Sequence, residues 1–124
     1  MKKIDIENNR VSANKVVDLI EKNVTYNHIL RQPCKRLRTC QAWVYTLNFT
    51  DKESGKYFTV HALRSYNTII AFAVYDRNED KMFFADILRR VYGYTATSVQ
   101  HISKFKRDYS LHIPEKNIYY TWRA

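Results

Sequence analysis

Three short β-like runs joined by polar loops constrain this chain more than any other feature. Over residues 42–50, Trp43, Tyr45, Leu47 and Phe49 alternate with Val44, Thr46 and Asn48, the period of a strand with two distinct faces. Thr50-Asp51-Lys52-Glu53-Ser54-Gly55-Lys56 then reads as a polar hairpin loop. From Tyr57 to Arg64 the alternation resumes, with Phe58, Val60 and Ala62 set against Tyr57, Thr59, His61 and Leu63. Ser65-Tyr66-Asn67 makes a turn, and Thr68 to Tyr75 is a continuous apolar run that suits a central strand. Asp76 to Lys81 is a second hairpin loop. Loops this short permit only antiparallel pairing, so the spacing predicts a meander.

Helices are expected on either side of it in sequence. Residues 12–24 carry Ala13, Val16, Val17, Ile20 and Val24 at helical spacing, with Ser12 or Asn14 to cap and Asn23 to close. Tyr26 to Gln32 fits a short strand or a continued helix, and Pro33 ends it. Residues 82–92 also fit two patterns. As a strand, Met82–Asp86 extends the meander; as a helix, Phe83, Phe84, Ile87, Leu88, Val91 and Tyr92 share one face. Gly93 breaks the element, Thr97 and Gln100 form a capping box, and Ser98, Ile102, Phe105 and Tyr109 make the inner face of a last helix. Pro114 precedes a β-like tail at 117–123. The expected fold is one α+β domain over residues 1–124, an antiparallel β-meander flanked by an N-terminal and a C-terminal α-helix.

Charge narrows the class of partner. The chain carries +9. Residues 31–64 and 89–124 each contribute +5, while residues 65–88 sum to −2. A surplus concentrated in two segments suits a polyanion. No apolar run approaches the roughly 18 residues of a spanning helix, and the first residues hold no hydrophobic signal core, so a soluble, cytoplasmic protein without membrane attachment is expected. Cys34 and Cys40 lie too far apart for the closer pairs of zinc fingers and ribbons; a local disulfide, or a zinc site with His28 or His61, is an alternative, and the preferred reading is reduced, structurally silent cysteines. Nor does the sequence hold an H-x-x-x-H, a Gly-rich phosphate loop or a G-x-S-x-G. Neither catalytic activity nor a cofactor nor a metal is expected.

Two basic groups are the candidate contact sites. On the last helix, Gln100, Ser103, Lys104 and Arg107 recur at i, i+3, i+4 and i+7, opposite the apolar face. Gln and Arg can read base edges, and Lys supplies charge against phosphate. With Arg89 and Arg90 before it, and residues 82–92 helical, the whole would make a helix-turn-helix reader of DNA, although Arg89 stands where that motif wants a small residue. A solvated amphipathic helix lying on the sheet would show the same pattern. The second group is Arg31, Lys35, Arg36 and Arg38, four cations in eight residues with no acid between them. Trp43 and Tyr45 follow it, as core residues or as stacking platforms. Tyr57, His61, Arg64 and Tyr66 form a weaker set, a stacking surface like those of RNA-binding sheets.

Leu63-Arg64-Ser65-Tyr66-Asn67-Thr68-Ile69-Ile70-Ala71, followed by Tyr94-Thr95-Ala96-Thr97-Ser98 leading to His101-Ile102 and Phe105, resembles small, largely uncharacterised proteins of bacteriophages and mobile elements. These carry a Ser-Tyr-x-Thr strand and a Thr/Ser-capped His-Ile helix. The resemblance covers residues 63–109 and implies a mobile-element origin in a host cytosol, without implying an activity. It makes Ser65, Tyr66, Thr97 and His101 scaffold. The expected function is non-enzymatic binding of nucleic acid or a nucleic-acid-bound host complex. An inhibitor of host defence of the anti-CRISPR type is the second expectation, and a small nuclease the third.

Overall fold

Alternation becomes sheet in the computed structural model, which describes residues 10–38, 40–87 and 96–122. The chain runs β1 (Arg10–Ser12), α1 (Ala13–Glu21), α2 (Tyr26–Leu30), β2 (Cys34–Arg36), β3 (Ala42–Thr50), β4 (Tyr57–Ser65), β5 (Thr68–Asp76), β6 (Lys81–Asp86), α3 (Ala96–Tyr109), a 3-10 turn at Glu115–Asn117 and β7 (Ile118–Trp122). The strands form one sheet in the order β1-β7-β6-β5-β4-β3-β2. Its centre is an antiparallel meander in sequence order, the expected strands β3, β4 and β5 extended by β6, with β2 antiparallel at one edge.

The sheet as a whole is larger than a meander, and mixed. β7 runs parallel to β6, and β1 runs parallel to β7. A parallel neighbour needs a crossover of a dozen or more residues, and α3 lies within the connection from β6 to β7. Short strands reached by such long connections leave no hairpin spacing in the sequence.

The two-way reading of residues 82–92 resolves toward strand over its described part. β6 pairs with β5 from Asp76↔Lys81 to Ala71↔Asp86, and the Ile87 N–H donates to the Ile70 carbonyl at 3.0 Å. Residues 82–87 are therefore not helical, so the helix-turn-helix that needs a helix over 82–92 does not form as expected. Arg89, Arg90 and Gly93 lie outside the described residues.

Both faces of the sheet are packed. Val16, Val17 and Ile20 of α1 and Ile29 of α2 cluster with Tyr45, Leu47, Phe49, Phe58, Val60 and Phe72. Ile102 and Phe105 of α3 cluster with Val44, Leu63, Ala71, Ala73, Met82, Phe84 and Ile118. β5 is buried from Ile69 to Val74, which explains why its sequence reads apolar throughout rather than alternating. Phe105 meets Phe84 edge to face, with ring centroids 6.0 Å apart.

Local signals fix some of the helix ends, although Ser12, at the capping position of α1, makes no side-chain hydrogen bond there. Asn23 closes α1, donating from its backbone N–H to the Ile20 carbonyl and from Nδ2 to the Leu19 carbonyl. Thr25 caps α2 by accepting from the His28 N–H at 3.1 Å, so Tyr26–Leu30 is a separate short helix. α3 begins at Ala96, which puts Thr97 inside the first turn rather than at the cap; the capping position lies outside the described residues. Among the described residues no helix is long and apolar enough to cross a membrane.

Candidate functional site

A stripe along α3 ties it to the turns at one end of the sheet. His101, Lys104 and Asp108 recur at i, i+3 and i+7, so they share one flank of the helix. His101 is buried, and its Nδ1 sits 2.8 Å from Ser65 Oγ at the end of β4. Burial, then the charge of Lys104, lowers its pKa and favours the neutral imidazole. One turn on, Lys104 Nζ donates to Cys40 Sγ at 3.2 Å. Asp108 accepts from Arg38 Nε at 3.0 Å, and the guanidinium holds its carboxyl below the usual range.

These contacts join the two basic segments. Lys104 and Cys40 are 64 residues apart in sequence, and Arg38 and Asp108 are 70 apart. What the sequence offered as alternative sites therefore meets at one corner, where the loop after β2 lies against α3. The outer face of α3 is correspondingly narrower than its spacing suggests. Gln100, Ser103 and Arg107 are exposed, whereas Lys104 is half-buried against Cys40. Cys40 is thus not structurally silent, although both cysteines are free.

The cluster from Arg31 to Arg38 divides. Cross-strand partners point to the same face, so Lys35, opposite Val44, faces the α3 side, while Arg36, opposite Trp43, faces the side of α1 and α2. Arg36 Nε donates to the Cys40 carbonyl at 2.8 Å, and its guanidinium lies 5.9 Å from the Trp43 ring centre. Arg31 ends α2, with Nε donating to the Asn27 carbonyl at 3.3 Å. Arg38 turns toward Asp108 with a positive φ of 53°. Four neighbours in sequence serve two faces of the sheet.

Some residues at this corner carry more than their sequence signals indicated. Trp43 is the middle of a row running Arg36, Trp43, Arg64 across β2, β3 and β4. The Arg64 guanidinium lies 4.9 Å from the Trp43 ring centre and 5.7 Å from that of Tyr45, and its buried Nε has no hydrogen-bond partner. Arg64 therefore lies on the face opposite Tyr57 and His61, so the set of four does not form one surface. Tyr66 sits in the β4–β5 turn at φ 53°, its N–H donating to the Gln41 carbonyl; the residue is 55% exposed and its ring centre lies 6.1 Å from that of His101. A bulky residue in the left-handed region is uncommon and costs conformational energy. An aromatic where turns favour Gly or Asn was the signal that could have marked this corner.

Among the described residues no group of three or more His, Cys, Asp or Glu could hold a metal ion. No protein family, curated protein or solved structure matches the chain.

Proposed function

We propose that this is a non-enzymatic basic protein that binds nucleic acid, or a host complex carrying it, at the corner where α3 meets the loop after β2. The observation that carries the reading is the pair of contacts Lys104–Cys40 and Arg38–Asp108, which bring two separate +5 segments together. Lys35 and Arg107 are exposed on the same two segments, Gln100 adds a hydrogen-bonding group and Tyr66 an exposed ring, whereas Ser103 lies on the other flank of α3 with Asp86 and Lys106. Cations in such an array neutralise phosphates and release counterions, which gives affinity with little sequence selectivity. The resemblance over residues 63–109 adds the mobile-element setting and a cytoplasmic site of action.

Affinity for a labelled duplex and a labelled single strand, measured across a salt series, tests this. Binding should weaken steeply with salt, and K35Q and R107Q should each lower the slope of log K against log salt by about one. No binding to either nucleic acid at low salt overturns the reading. A stable complex with a host protein in that case would replace it with the defence inhibitor, and metal-dependent cleavage would replace it with the nuclease.

A further inference from the structure

Between the sheet and the chain leaving α3 lies an open cleft of about 330 Å³, floored by Thr59, His61, Tyr75 and Met82 and walled by Tyr109 and Leu111. The volume is of the order of small-ligand sites, which begin at about 300 Å³. Its lining is mainly apolar and aromatic, with Met82, Leu111 and Ile113, and a few polar groups are set into it. Thr59 Oγ1 donates to Asn48 Oδ1 at 2.7 Å and accepts from the Arg77 guanidinium at 3.3 Å. The His61 ring rests 4.7 Å from that of Tyr109, and its Nδ1 lies 2.9 Å from Thr46 Oγ1. Nε2 has no hydrogen-bond partner among the described residues.

We propose that this cleft takes one unpaired base of a single-stranded nucleic acid whose phosphates lie along the cationic corner. The proposal deepens the nucleic-acid reading and rests on it. Three observations favour a base over other occupants. First, the carboxylates nearby are already engaged: Asp108 pairs with Arg38, and Asp80 accepts from the Tyr75 hydroxyl. Second, a cation stands on the approach, with Arg77 at the rim, 5.4 Å from the Tyr57 ring centre. Third, desolvation lowers the pKa of His61 to about 4, so at neutral pH it presents an uncharged donor or acceptor suited to the edge of a heteroaromatic ring. Aromatic side chains beside such a group are what base stacking uses.

The experiment compares binding of a fluorescein-labelled 12-mer single strand and a 12-bp duplex to the full-length wild-type protein and to H61L and L111S. Leu111 is 69% exposed, so L111S should fold even where H61L does not. Expected are tighter single-strand than duplex binding, a loss of about tenfold in single-strand affinity for H61L and a smaller one for L111S, with duplex affinity unchanged in both. Single-strand affinity at the wild-type level in the folded variants, or binding of duplex alone, overturns the cleft and leaves the nucleic-acid reading standing. Wild-type protein that binds neither probe overturns both.

Discussion

The two ends of the central sheet handle their cations in opposite ways. At the end formed by the 51–56 and 77–80 loops, bases meet acids. Lys22 pairs with Asp51 at 3.7 Å and Glu53 at 3.1 Å, Lys56 pairs with Asp76 at 3.5 Å and with Glu79, and Lys81 pairs with Glu79 at 3.1 Å. At the other end, Arg36 and Arg64 lie over Trp43, Lys104 meets a thiol, and the Arg38–Asp108 ion pair brings its acid from α3. The cause is visible in the chain. The hairpin loops mix acids and bases within a few residues, whereas residues 31–41 contain no acid. One end brings its acids from the hairpin loops themselves, whereas at the other the acid that pairs Arg38 comes from a helix 70 residues away.

Removing the acid at the centre of the neutralised end should have the largest effect on stability. Asp51 is buried and accepts from Asn23 Nδ2 at 2.9 Å and from both the N–H and the hydroxyl of Ser54. D51A should cost about 1–2 kcal/mol in urea unfolding, the scale of losing hydrogen bonds to a charged group whose donors can turn to water. A loss within experimental error would break the contrast between the ends.

Acid should act through the same group. The hydrogen bonds from Asn23 and Ser54, with Lys22 nearby, hold the Asp51 pKa below its ordinary 3.8. A carboxyl depressed in the folded state contributes stability that is complete above that ordinary value and is lost as pH falls below it. Unfolding midpoints should therefore drop on acidification below about pH 4, and D51N should flatten that drop.

At the cationic end, R64M should shift stability by less than about 1 kcal/mol. It gives up cation–π contacts worth roughly 0.5–2 kcal/mol and relieves an unpaired buried Nε of comparable cost. Paired with D51A on one protein sample series, it measures the contrast directly. The smallest effect is expected from D108N, which releases Arg38 from its acid. Nucleic-acid affinity should rise a few-fold, with a salt slope steeper by about one, whereas an unchanged slope would mean that Arg38 does not reach phosphate.

Much of this molecule was legible in the chain. Two-residue periodicity located β3 and β4, and a continuous apolar run between short loops located β5, because residues paired through short loops leave their pattern within a few positions of one another. The closing role of Asn23, just past the end of α1 at Glu21, was legible for the same reason, since closing a helix is a local event. β1 and β7 were not read as parallel neighbours, because what places them is the return of the chain after a helical crossover.

The candidate site divides along the same line. Sequence alone determined which residues are cationic, which segments lack acids, and that Ile102 and Phe105 turn inward. Only tertiary structure decided that Lys104 and Asp108 would meet Cys40 and Arg38, that Trp43 would lie between two guanidiniums, and that Arg64 would leave the face of His61. The physical reason is range. Periodicity and capping are set by neighbours along the chain, while the electrostatic surroundings of a side chain are set by whatever the fold carries within a few ångströms of it.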